Sequence, residues 1–114
     1  DFRISLAMLK RDRKVGFVGS VPNIVLGSIN EADKADFYHN RYVAHHTAEL
    51  LKLLKPNLSV VDGFDSIKTE AKIKVSTALA STDSVALDTA AAKILKVKPA
   101  YLSYCTKKNV KLIT

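Results

Sequence analysis

The sequence predicts an α/β fold, in which helices cover a mixed, mainly parallel sheet. Two observations support this prediction: strand-like and helix-like segments alternate along the chain, and the spacing of apolar residues changes between them. The chain has 114 residues, of which 47% are hydrophobic and 25% are charged, as is typical of one globular domain with one core. We therefore expect residues 1–114 to form a single domain.

Short apolar runs predict the strands. Ile4 to Leu9 is an apolar run between charged residues, and Leu58 to Val61 is a β-prone run that ends at an Asp-Gly pair. Ala71 to Ala80 predicts a further strand. Val110 to Ile113 is short and has lysines around it, so we expect it at an edge of the sheet, whereas the first strand is apolar on both sides and is expected inside.

Apolar residues at three-to-four spacing predict the helices. Arg41 to Lys55 shows this spacing most clearly, and it includes His46, which we interpret as a packed core residue. Val85 to Leu95 follows Ser81-Thr82-Asp83, a run of three good N-cap residues. A last short helix is expected from Pro99 to about Cys105.

Two segments lack a regular period. Val15 to Ile29 mixes apolar residues with three glycines and a proline, which predicts a buried loop with a short helix that begins near Pro22. Asn30 to Asn40 is polar and acidic, which predicts an exposed loop.

Composition narrows the classes of function. A single cysteine, Cys105, cannot form an internal disulfide, and this chain alone cannot hold an iron–sulfur cluster, so any cofactor stays unknown. The sequence contains neither a membrane-length apolar run nor a secretory signal, so we expect a cytoplasmic protein that does not act at a membrane. The net charge of +7 favours anionic partners.

Three stretches resemble the domain of unknown function 362 family, in an archaeal-type, shortened and divergent form. Leu54 to Phe64 resembles the family's helix, proline, strand and Asp-Gly motif, and Leu79 to Asp88 resembles its strand-to-helix turn with two aspartates. Leu9-Lys10 and Asn23 to Ile29 resemble its lysine-bearing segments. The resemblance implies that this chain corresponds either to the C-terminal part of a longer domain or to a shortened relative.

Four charged residues form the candidate ligand site: Lys10, Asp62, Asp83 and Asp88. Lys10 and Asp62 follow predicted strands, at the edge where open α/β sheets bind ligands. Such a cluster suits a phosphate- or carboxylate-bearing ligand with a hard cation, for which Asp62 and Asp88 would be the metal ligands. Simpler interpretations remain open: a helix cap for Asp83, a turn for Asp62, a solvated Lys10, and a structural partner for Asp88.

These observations predict a domain that binds a small molecule or a metal ion, a class that includes degenerate enzymes. The alternative is a module that binds nucleic acid or another anionic partner, with stacking by tyrosines; the candidates are Tyr38, Tyr42, Tyr101 and Tyr104. We expect such nucleic-acid binding to be weak, because the positive charge is spread along the chain. A homodimer that pairs through Val110 to Ile113 is a further expectation.

Overall fold

The structure is a computed structural model, and it describes residues 2–12, 16–63 and 78–105. The described strands are β1 (Ile4–Met8), β2 (Lys10–Asp12), β3 (Gly16–Val18), β4 (Leu58–Asp62) and β5 (Ala78–Ser81). The described helices are α1 (Ser20–Gly27), α2 (Glu31–His39), α3 (Val43–Leu54), α4 (Ser84–Leu95) and α5 (Ala100–Cys105).

The main sheet has the strand order β1-β4-β5. β1 is parallel to β4, with Ile4 opposite Leu58, and β5 is antiparallel to β4, with Ser81 opposite Ser59. β2 and β3 form a separate antiparallel ribbon. The predicted fold class, a mixed sheet covered by helices, is confirmed.

β1 lies at an edge of the described sheet, and not inside it as we expected. The prediction was wrong because it took apolar residues on both sides of the strand as a sign of an inner position. Only Ser5 and Ala7 are buried, whereas Leu6 and its neighbours on the other face are exposed. The predicted edge strand from Val110 to Ile113 lies outside the described residues, as does the 71–77 part of the predicted strand that ends at Ala80.

Helices α1 and α4 pack on one face of the sheet, and α3 and α5 form a second layer behind them. The core between sheet and helices contains Ala7 and Val61 from the strands, Val25 from α1, and Leu87 and Ala91 from α4. Each of these side chains is at most 4% exposed. The main core therefore lies on one side of the sheet.

Both segments without a regular period contain a helix: α1 confirms the short helix predicted near Pro22, and α2 replaces the loop predicted for Asn30 to Asn40. α1 buries Val21, Pro22 and Val25, and Pro22 costs little in the first turn because its missing N–H would have no helical partner. α2 was expected to be a loop because it is polar all round, and none of its residues is buried. The N-terminus of α2 is stabilised instead by Asn30, whose side chain accepts a hydrogen bond from the N–H of Ala32 at 3.3 Å.

The other helices were predicted well. α3 lies within the predicted segment, ends at a left-handed Lys55, and buries Val43 and Thr47, although Leu53 is 74% exposed. α4 begins one residue before its predicted start, and α5 one residue after. None of the described helices combines the length and the apolar character that crossing a membrane requires.

Candidate functional site

Asp88 on α4 lies at the centre of the domain and is fully buried. Its Oδ1 accepts a hydrogen bond from the backbone N–H of Ser20 at 2.6 Å. Its Oδ2 accepts one from the N–H of Val21 and one from the hydroxyl of Tyr101, both at 2.8 Å. Since Ser20 opens α1 and Gly19 offers no side-chain cap there, Asp88 caps a helix that begins 67 to 68 residues earlier in the chain.

Burial sets the charge state of Asp88. Loss of hydration raises the pKa of Asp88 from 3.8 to about 6, although the hydrogen bonds from Val21, Tyr101 and Ser20 act in the opposite direction. The carboxyl group is therefore mostly ionised at neutral pH, where the positive end of the α1 dipole faces it. Burial and this nearby charge raise the pKa of Tyr101, so its hydroxyl stays a hydrogen-bond donor.

Asp83 is the N-cap of α4. Its Oδ1 accepts hydrogen bonds from the N–H groups of Val85 at 3.0 Å and Ala86 at 3.1 Å. The Ser81 hydroxyl oxygen in turn accepts a hydrogen bond from the N–H of Asp83 at 3.0 Å. The helix-cap interpretation of Asp83 thus accounts for its contacts.

Asp62 and Lys10 lie at the carboxyl edge of the two parallel strands. Asp62 is the half-buried last residue of β4, opposite Met8 of β1. Just beyond, the N–H of Leu9 donates to the carbonyl of Asp62 at 2.8 Å, which brings the backbone of Lys10 close to this edge. The side chain of Lys10 lies outside the described part of the molecule.

The four predicted site residues do not share one edge. Because β5 is antiparallel, Ser81 lies opposite Ser59. The turn that carries Asp83 therefore lies at the opposite end of the strands from Asp62. Three residue steps, from Ser59 to Asp62, separate these two ends of the sheet by roughly 10 Å along the strand. The argument that ligands bind beyond the carboxyl ends of strands applies to parallel strands only, and β5 is antiparallel to β4.

A metal centre finds little support in the described segments. Within residues 2–12, 16–63 and 78–105, no group of three or more His, Cys, Asp or Glu side chains could hold a metal ion. The oxygens of Asp88 face hydrogen-bond donors, whose positive ends would repel a cation. Metal binding by Asp62 and Asp88 stays a prediction.

The candidate stacking residues differ in exposure. Tyr101 is fully buried and bonded to Asp88, so it offers no surface to a base. Tyr42 is 52% exposed and Tyr104 is 54% exposed, while Tyr38 is half-buried. His46 is half-buried beside Phe37, at 6.3 Å between ring centroids, and, contrary to our expectation, it is not among the core residues.

A cleft of about 520 Å³ lies between α1 and α2. We call it the α1–α2 cleft; its lining consists of Val18, Pro22, Asn23, Leu26, Gly27, Lys34, Ala35, Tyr38 and His39. Val18 lies opposite Lys10 in the β2–β3 ribbon, so the cleft adjoins the backbone of a predicted site residue. Sequence reasoning missed this cleft because it treated α2 as a loop.

A second groove, of about 560 Å³, lies between the end of α4 and α5. Its floor is apolar at Ala92, Val97 and Leu102, and its rim carries Lys93 and Lys96. Both lysines are near the C-terminus of α4, where positive side chains complement the helix dipole. Helix stabilisation therefore accounts for these lysines without a ligand.

A family model described as domain of unknown function (DUF362) matches residues 1–93. The chain belongs to the DUF362 family. Comparisons with curated proteins and with solved structures found no match. The DUF362 match includes the turn with Asp83 and Asp88, whereas Tyr101, which completes the hydrogen bonds of Asp88, lies beyond the matched residues.

Proposed function

We propose that this DUF362 domain binds a small organic anion in the α1–α2 cleft, with Lys34 and His39 next to its phosphate or carboxylate group. The observation that carries the proposal is the composition of the lining. A cation, an imidazole and a phenol border an apolar floor, and none of the lining residues that the structure describes carries a carboxylate. The cleft volume also falls within the range of about 300–1,000 Å³ that is usual for ligand pockets.

Lys34 is available to such an anion. Its Nζ contacts Glu31 at 2.6 Å, and 88% of the Glu31 side chain is exposed. An ion pair this exposed contributes little free energy, because water and salt screen it. An anion in the cleft can therefore compete with Glu31 for Lys34.

Asn23 adds a hydrogen-bond acceptor to the cleft, where Lys34 is a donor. Its Nδ2 donates to the hydroxyl of Ser5 at 3.2 Å and to the carbonyl of Leu6 at 3.1 Å. Because both amide hydrogens are then engaged, Oδ1 is the part of the side chain left to accept a hydrogen bond. This arrangement favours an anion that also carries a hydroxyl or amino group.

Titration calorimetry tests the proposal with three probes: inorganic phosphate, adenosine 5′-monophosphate, and adenosine as the uncharged control. We expect the nucleotide to bind and adenosine to bind more weakly. Lys34→Gln should weaken nucleotide binding about tenfold or more, since a hydrogen bond to a charged group contributes about 1.5–3 kcal/mol.

Lys52→Gln is the matched control. Lys52 makes the same i,i+3 contact, to Glu49 at 3.0 Å, but on α3 and outside the cleft lining. Absence of binding by both anions at millimolar concentration, or equal losses in the two variants, would contradict the proposal. A single-stranded oligonucleotide tests the nucleic-acid alternative: binding that both variants weaken equally, and that disappears by about 200 mM salt, would indicate diffuse charge attraction.

A further inference from the structure

Aromatic rings form a row across the start of α3 and the end of α5. Tyr42 contacts His46, and His46 contacts His45, both at 6.2 Å between ring centroids. His45 in turn contacts Tyr104 at 5.2 Å. The guanidinium of Arg41 lies over the ring of Tyr42, at 4.8 Å from its centroid. We call Arg41, Tyr42, His45, His46 and Tyr104 together the ring surface.

Much of the ring surface faces water. Tyr42 is 52% exposed and Tyr104 is 54% exposed, and Arg41 and His45 are also exposed. Because these side chains carry polar groups, water can cover them, and no other part of the chain is needed to do so. The faces of the rings are apolar, however, and they gain free energy when another flat ring stacks on them. A partner with flat rings therefore fits this surface.

Helix capping does not account for the exposed Tyr42. This residue is the N-cap of α3, but its side chain makes no capping hydrogen bond, and Ser, Thr, Asn or Asp is preferred at such a position. The backbone N–H of Tyr42 donates to Oδ1 of Asn40 at 2.8 Å, and Nη2 of Arg41 donates to the Tyr42 hydroxyl at 2.6 Å. These two contacts hold the ring in place beside a cation.

Charge favours a polyanion as the partner. The chain has a net charge of +7, and Arg41 places a positive charge next to the ring of Tyr42. Glu49, one turn after His45 on α3, contacts Lys52 at 3.0 Å, so its negative charge is balanced in part. Nucleic acids combine phosphates with flat bases, and proteins that bind single strands use aromatic side chains together with cations.

The angles between the rings favour a single strand over a duplex. The ring planes are inclined by 52° between Tyr42 and His46, and by 53° between His46 and His45. The rings of His45 and Tyr104 are inclined by 73°. The bases of a duplex are parallel and already stacked on each other, whereas each base of a single strand can turn to stack on an inclined ring.

We propose that the ring surface binds single-stranded nucleic acid, with bases stacked on the exposed rings and a phosphate beside Arg41. The ring surface shares no residue with the lining of the α1–α2 cleft. Stacking depends less on salt than phosphate contacts do. Part of the affinity should therefore persist above about 200 mM salt, where diffuse charge attraction is largely lost.

Fluorescence anisotropy with a labelled oligothymidylate of about ten nucleotides tests the proposal. An abasic strand of the same length is the control for charge, because it carries phosphates without bases. We expect the oligothymidylate to bind more tightly than the abasic strand, and the difference to persist from 0.1 M to 0.3 M sodium chloride. At 0.3 M the single strand should also bind more tightly than a duplex of the same length, whose bases offer no free faces.

Tyr42→Ser should weaken binding of the oligothymidylate about fivefold or more, the low end of what the loss of one base–ring contact costs. Binding of the abasic strand should stay the same, since the phosphate contacts remain. Serine is a preferred N-cap, so the variant should fold, which circular dichroism checks. Phe2→Ser is the matched control and should bind like wild type. Phe2 is 70% exposed, and its neighbour Arg3 contacts the carbonyl of Leu54, at the other end of α3 from Tyr42.

Equal affinity for the oligothymidylate and the abasic strand would overturn the proposal, since charge alone would then drive binding. Equal losses in Tyr42→Ser and Phe2→Ser, a duplex that binds as tightly at 0.3 M salt, or no binding of the oligothymidylate would overturn it as well. If Lys34→Gln removed binding of the oligothymidylate and Tyr42→Ser did not, the strand would lie in the α1–α2 cleft, and the ring surface would be excluded.

Discussion

Two aspartates five positions apart cap two different helices, and they do so in opposite ways. Asp83 caps its own helix through N–H groups two and three residues ahead, and it is half-buried. Asp88 caps α1 across the core, and it is fully buried. The first is a local contact that water could replace in part. The second fills a site that water does not reach, so its loss leaves donors without partners.

The comparison predicts its largest effect for Asp88→Ala. Removal of this carboxylate leaves the N–H groups of Ser20 and Val21 and the hydroxyl of Tyr101 unsatisfied. Each such buried group costs about 1–3 kcal/mol, so we expect a loss of about 3–5 kcal/mol in the free energy of unfolding at pH 7. Urea unfolding followed by circular dichroism measures the loss. Asp36→Ala, on exposed α2, is the control and should change the free energy by less than about 0.5 kcal/mol.

The next effect concerns pH. Because the pKa of Asp88 rises from 3.8 to about 6 on folding, the folded state binds a proton more tightly than the unfolded state. The contribution of Asp88 to stability is thus fully present below about pH 4 and decreases as pH rises through about 6. Relative to Asp88→Asn, which does not titrate, wild type should lose about 2 kcal/mol between pH 4 and pH 7.

Urea unfolding of both proteins at several pH values provides this difference. If wild type instead gained stability relative to Asp88→Asn as pH rises, the three hydrogen bonds would outweigh desolvation, and the pKa of Asp88 would be lowered.

The smallest effect is expected for Asp83→Ala. Loss of a local N-cap costs about 1 kcal/mol, because water can reach the freed N–H groups of Val85 and Ala86 in part. Asp83→Asn keeps a capping oxygen and should be close to wild type. Urea midpoints rank the variants. A loss for Asp83→Ala as large as that for Asp88→Ala would remove the distinction between the local and the distant cap.

The same distinction explains how far the sequence could predict the structure. The cap at Asp83, the helix from Val43 to Leu54 and the strand at Leu58–Asp62 depend on neighbouring residues, and they were predicted. The partners of Asp88 could not be predicted, because two of them are backbone N–H groups, which every residue except proline carries. The position of Pro22 in the first turn of α1 was the available signal for a helix start.

For the candidate site, too, features that depend on neighbouring residues were predictable, and features that depend on distant contacts were not. The position of Asp62 at the end of a parallel strand was predictable from a strand followed by Asp-Gly. The antiparallel direction of β5 agrees with a hairpin-like connection, which the short polar segment from Asp65 to Glu70 indicated, but the site prediction did not take it into account. The α1–α2 cleft was missed for another reason: α2 has almost no apolar periodicity, and the cap at Asn30 with acidic Glu31 and Asp33 in the first turn was the only helical signal.

The distant cap also constrains the order in which the domain folds. During folding, α1 cannot gain its capping carboxylate until α4, 67 to 68 residues later, has docked against it. Closing so long a loop is slow compared with helix formation, so both helices should become stable in the same late step. In hydrogen exchange, the amides of Ser20 and Val21 should therefore open only together with α4, at the most protected level of the domain.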